Sequence, residues 1–149
     1  MAKLNILVVD DDVFVVETLT TFLELRGCRV TPAHGCRQAV DVLRGKEKVD
    51  LMILDYLMPD GSGTDLLHFV GDNPSMQRPP VIMSSGVLDP KAPIWEELRR
   101  RLPAESQSMI QAYVSKPYTL DALDVAVKEV LGGDYLPEPR RKSSPVKKV

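Results

Sequence analysis

Four short stretches each set an ionisable or hydroxyl side chain directly after an apolar run: Asp10-Asp11-Asp12 after LNILVV, Asp55 after LMIL, Ser84-Ser85 after VIM, and Lys116 after AYVS. Carboxylates gathered at one place repel and rise in pKa unless a cation neutralises them, and a hard divalent cation is the usual answer. Magnesium prefers oxygen ligands and keeps several waters, so two carboxylates and a backbone carbonyl suffice. A hydroxyl such as Ser85 and an ammonium such as Lys116 then suit the oxygens of an anion, most simply a phosphoryl group. Asp55, alone at the end of its run, is the candidate carboxylate nucleophile.

Those chemistries need a scaffold that brings four distant segments together. Val49 to Gly63 reads VDLMILDYLMPDGSG, a strand-length apolar run closed by Asp55 and then by Pro59, Gly61 and Gly63, which break either period. Leu4 to Val9, Cys28 to Ala33, Val81 to Met83 and Ala112 to Ser115 are further strand candidates. Between them the apolar spacing predicts helices over Val13 to Arg26 (Val13, Val16, Leu19, Thr20 and Leu23), Arg37 to Arg44 and Thr64 to Val70, with a final helix over Leu120 to Leu131. Asp12 and Thr119 are placed to cap the first and last of these, and Gly27 to close the first. Pro90, Pro93 and Pro103 break Val87 to Gln111 into two short helices, at about Ile94 to Leu102 and Ala104 to Gln111.

Five strands alternating with helices predict an α/β fold, a doubly wound parallel sheet. In such sheets ligands sit beyond the carboxyl ends of the strands, where the winding reverses. That edge is where Asp10, Asp11, Asp12, Asp55, Ser84, Ser85 and Lys116 fall.

The chain has 149 residues, 44% hydrophobic, with a formal net charge of −2. One domain over 1–132 is expected, followed by a disordered basic, proline-containing tail over 133–149 that carries Arg140, Arg141, Lys142, Lys147 and Lys148. The near-neutral balance gives no basic field for nucleic acid on the folded part. Cys28 and Cys36 make neither a CxxC nor a zinc-ligand spacing with His34 and His68, so both thiols are expected to be reduced. No apolar run approaches a membrane span and no secretory leader opens the chain, which predicts a cytoplasmic protein.

ILVVDDD, LMILDYLMPDGSG, VIMSSG and YVSKPY, in that order, resemble the receiver domain of bacterial two-component response regulators, single-domain and chemotaxis-regulator-like, from Leu4 through about Leu131. The resemblance implies a flavodoxin-like strand order 2-1-3-4-5. It implies phosphorylation of Asp55 by a sensor histidine kinase or phosphotransfer protein, and Mg²⁺ held by Asp11, Asp55 and the Leu57 carbonyl, with Asp10 acting through water. Ser85 and Lys116 would hold phosphoryl oxygens, Tyr113 would be the switch aromatic that signals to a downstream protein, and Lys116-Pro117 would be cis. Leu57 and Val87 would flank the phosphoryl group; being apolar, they would orient no water, which predicts a long-lived phosphoryl state. The long, proline-rich segment between Ser85 and Tyr113 departs from the family pattern, and Tyr118 stands where phenylalanine is common. Two other readings remain: a pseudo-receiver that binds a partner without phosphorylation, and a haloacid-dehalogenase-type phosphohydrolase using Asp10 as nucleophile.

Overall fold

The structure, a computed structural model, describes residues 3–86 and 91–132. Val87 and the tail read over 133–149 lie outside the described residues.

Five strands make one parallel sheet: β1 (Asn5–Val9), β2 (Arg29–Ala33), β3 (Leu51–Asp55), β4 (Val81–Ser85) and β5 (Ile110–Ser115), in the order β2-β1-β3-β4-β5. Every residue of β1, β3 and β4 is buried, which is why these segments read as unbroken apolar runs rather than alternating ones. Among the described residues six helices flank the sheet: α1 (Val13–Leu25), α2 (Cys36–Arg44), α3 (Gly63–Gly71), α4 (Pro93–Arg100), α5 (Ala104–Met109) and α6 (Leu120–Leu131).

The pleat sends alternate strand residues to two separate cores. Ile6, Val8, Ile53, Ile82 and Val114 meet Val16, Leu19 and Leu23 of α1 and Leu123, Ala126 and Val127 of α6. Leu7, Val9, Met52, Leu54 and Met83 meet Leu43 of α2, Leu66, Leu67 and Val70 of α3, Trp95 of α4 and Met109 of α5. Val13, counted into the helical spacing of α1, is 54% exposed, one turn ahead of Val16, where burial of that helix begins.

The caps set where the helices begin. The Asp12 carboxylate accepts from Phe14 N at 2.9 Å, and the Thr119 hydroxyl accepts from Ala122 N at 3.0 Å. Gly27, at φ +89°, takes the left-handed conformation that turns the chain out of α1.

Between β4 and β5 the described residues form two helices, the first with Pro93 in its opening turn and the second capped by Pro103. α5 lies on α3: the buried Ser106 hydroxyl donates to the Leu67 carbonyl, and a Cβ on Gly71 would fall 2.2 Å from that hydroxyl oxygen. Only glycine allows the approach. Among the described residues no helix is long and apolar enough to cross a membrane.

Candidate phosphoryl-acceptor site

Four strand ends and the loop after β3 build the site. β1 and β3 are adjacent and pair in parallel from Ile6↔Leu51 to Val9↔Leu54, so Asp10, one residue past β1, and Asp55, the last residue of β3, emerge side by side. β4 lies next to β3 with Ser84 opposite Asp55, and β5 lies next to β4 with Ser85 opposite Ser115. The register continues one step further, where Lys116 N donates to the Ser85 carbonyl at 2.8 Å, and this fixes the backbone from which Lys116 reaches back over the sheet edge. The Lys116-Pro117 peptide is cis, as the resemblance implied.

The side chains converge. Lys116 Nζ lies 2.7 Å from Asp10 Oδ2 and 3.2 Å from Asp55 Oδ1. Asp10 also accepts from Asp12 N at 2.9 Å through its other oxygen. Asp10, Asp11 and Asp55 each offer a carboxylate oxygen within 4.8 Å of the others, with Asp10 and Asp55 buried and Asp11 exposed.

Electrostatics follow from that crowding. Burial first, then the Asp10 charge, raises the Asp55 pKa from 3.8 to about 6, against the pull of Lys116. Burial works to lower the Lys116 pKa, yet hydrogen bonding to Asp10 and the charges of Asp10 and Asp55 outweigh it and leave the ammonium raised. A cluster of three hard oxygen donors in which one carboxyl is already driven toward protonation fits a divalent cation of the magnesium type.

The loop after Asp55 is shaped by two further contacts. Leu57–Met58 and Gly61–Ser62 form a small antiparallel ribbon, and Gly63 N donates to the Tyr56 carbonyl. A Cβ on Gly63 would stand 2.6 Å from the Asp55 carbonyl oxygen, so the loop can fold back on its own strand end only with glycine there. From the same ribbon Asp60 reaches α2, where its carboxylate accepts from Cys36 N at 2.8 Å and Arg37 N at 3.1 Å. Those two hydrogen bonds lower its pKa.

Of the residues singled out by sequence, Asp10, Asp11, Asp55 and Lys116 come together in one cluster, and Ser85, buried, ends the strand next to that of Asp55. Leu57 follows in the ribbon, 51% exposed. Tyr113 stands apart, opposite Met83 on β5, with its ring perpendicular to Trp95 at 5.2 Å between centroids. Tyr118 turns its phenol inward; burial raises its pKa while Ser84 works the other way, although no hydrogen bond of normal geometry joins the two. Burial likewise pushes both thiols, Cys28 and Cys36, up to about 11, so neither is a ready nucleophile.

Sequence reading missed Asp60 and Trp95. Asp60 sits in a turn, where an acid is ordinary, and only the fold brings it to a helix start 24 residues earlier. Trp95 had a signal, as the single tryptophan of the chain, set in an otherwise charged stretch.

Comparison with known proteins gives a consistent answer. The model of the response regulator receiver domain matches residues 6–128. The two-component response regulator ORR12 of Oryza sativa subsp. japonica is 33% identical over 85 residues, covering 57% of this chain and 70% of that protein. The probable transcriptional regulator ycf29 of Cyanophora paradoxa is 29% identical over 128 residues, covering 86% of this chain; the chain spans 56% of its length. Among solved structures, a CheY-like receiver domain protein from Methanospirillum hungatei superposes with a TM-score of 0.71 at 25% identity, covering 89% of this chain and 96% of that one. The response regulator TrrA from Thermotoga maritima, in complex with Mg(2+)-BeF, gives a TM-score of 0.66 at 25% identity over 86% of this chain and 99% of that one. With the fold, the strand-end acids and the lysine on one sheet edge, and a family model spanning nearly all the described residues, this chain belongs to the response regulator receiver domain family.

Proposed function

We propose that this chain is a phosphorylation-dependent signalling receiver, which takes a phosphoryl group from the phosphohistidine of a kinase or phosphotransfer protein onto Asp55. The observation that carries the reading is the placement of a buried carboxylate at the carboxyl end of the central strand, facing a second buried acid and an ammonium within 3.2 Å. An Asp55 oxygen attacks phosphorus in line; the new O–P bond forms as the N–P bond breaks, and the imidazole leaves with its electron pair. Lys116 and the Ser85 hydroxyl serve the phosphoryl oxygens, so that the new group draws both side chains toward Asp55. Asp10, Asp11, Asp55 and the Leu57 carbonyl would hold Mg²⁺, which when bound offsets the charge of the phosphoryl group.

Asp10 suits the hydrolase reading poorly. Both of its oxygens already accept hydrogen bonds, from Lys116 and from Asp12 N, which blunts it as a nucleophile. Transfer to Asp55, and back to water, is the only chemistry the site needs; its product is a changed surface for a downstream protein, in a cytoplasmic pathway.

The test is incubation with a small phosphodonor, acetyl phosphate, with and without Mg²⁺, followed by intact mass. The reading expects one phosphoryl group per chain, only with the metal. No uptake under either condition would leave the pseudo-receiver reading in its place.

A further inference from the structure

Trp95 lies on α4, in the segment whose length sets this chain apart from the family pattern, and it is only 3% exposed. Its ring meets Tyr113 edge to face, at 5.2 Å and 88°. Its indole N–H is buried without an acceptor among the described residues. These facts pull in opposite directions. The perpendicular ring pair is a favourable geometry, whereas a buried donor with no partner carries its full desolvation cost. A second packing that gave this donor a partner would gain a hydrogen bond, and two packings are what a switch requires.

Tyr113 ties this pair to the site through the sheet. It stands opposite Met83 on β4, two residues before Ser85, and on its own strand it precedes Lys116 by three. Both residues that serve the phosphoryl group are thus rooted within a few positions of the Tyr113–Met83 pair. A pull on Ser85 and Lys116 toward Asp55 shifts the ends of β4 and β5, and the tyrosine ring between them and α4 must adjust. Trp95, Leu66, Leu67, Met83 and Met109 share one packed cluster, to which Tyr113 adds its ring. A movement of Tyr113 therefore cannot leave Trp95 in place, because packed interiors do not absorb a displaced ring without rearrangement.

We infer that Trp95 is the positioning residue for Tyr113: it seats the ring when Asp55 is unmodified, and it transmits the ring's displacement to α4 and α5 when Asp55 is phosphorylated. This rests on the receiver reading above and goes beyond it by naming the side chain through which this chain's atypical helical segment is moved. The strength of a perpendicular aromatic pair corresponds to a shift of about 2- to 12-fold in the balance between the two seatings.

Because Trp95 is the single tryptophan, tryptophan emission reports on the surroundings of this one residue. The experiment follows tryptophan emission of the full chain during addition of acetyl phosphate and Mg²⁺, with phosphorylation read in parallel by intact mass. Wild type is expected to show a change in emission that rises with the phosphorylated fraction. Asp55→Asn should show neither mass gain nor emission change. Tyr113→Leu, which removes the ring, should lose the emission change for the same phosphorylated fraction, and Tyr113→Phe, which keeps the ring edge, should restore it. Phosphorylated wild type with unchanged emission would overturn the inference while leaving the receiver reading intact. An undiminished emission change in phosphorylated Tyr113→Leu would also overturn it, since Trp95 would then respond by another route. Absence of any mass gain in wild type would instead bring down the receiver reading, and this inference with it.

Discussion

The Lys116 ammonium stands 3.2 Å from Asp55, yet the Asp55 pKa is raised to about 6 rather than lowered. Burial and the neighbouring Asp10 charge outweigh the cation, which is nearer to Asp10 at 2.7 Å and so is partly spent there. A carboxyl whose folded pKa exceeds its unfolded value gives full stability below the unfolded value and loses it as pH rises through the folded one. The window therefore runs from pH 3.8 to about 6. For a group this buried, a rise from 3.8 to about 6 corresponds to about 3 kcal/mol at most.

Asp55→Asn removes that cost. In chelator, the variant should be more stable than wild type above pH 6, melting several degrees higher, with the advantage shrinking toward pH 4. Melting curves across that range check it. A variant less stable than wild type at pH 8 would mean that the Lys116 contact dominates.

The seam between α3 and α5 depends on Gly71. A methyl group there would meet the Ser106 hydroxyl oxygen at 2.2 Å and Pro103 at 3.1 Å, so Gly71→Ala should force α5 away from α3 and cost about 1–3 kcal/mol. Urea denaturation measures this directly. A neutral result would show that α5 can shift without loss.

Leu57 is two residues beyond the acceptor and cannot orient a water for attack on a phosphoryl group. Leu57→Asn should speed decay of phosphorylated protein by roughly one to two powers of ten, a barrier change of ~1–3 kcal/mol from one orienting contact. The check is first-order loss of the phosphorylated form with donor removed and Mg²⁺ present. Equal decay in variant and wild type would show that Leu57 lies out of range.

The sequence made the sheet legible because β1, β3 and β4 are buried on both faces, and such strands must be continuous apolar runs. It also made the pocket legible, since parallel strands deliver their last residues to one edge: Asp10, Asp55, Ser85 and Lys116 had to meet once the alternation of strands and helices was recognised. Helix boundaries came within a few residues where a cap was present, as at Asp12 and Thr119. What could not be read were contacts made only by the tertiary fold. Nothing local ties Asp60 to the start of α2, and nothing in PIWEELRR says that its tryptophan turns in to meet Tyr113 on a strand still to come. Val13 read as core by its helical spacing, yet it is 54% exposed, one turn ahead of Val16, the first residue that α1 buries.

The central claim is that Asp55 is the acceptor, and borohydride trapping tests it most directly. Borohydride reduces an aspartyl phosphate to homoserine, leaving a stable mark at the modified residue, and peptide mass spectrometry after treatment with acetyl phosphate and Mg²⁺ locates it. The account predicts homoserine at position 55 alone, and none anywhere in Asp55→Asn. Homoserine at position 10, or at any other acid with position 55 unmodified, would contradict it.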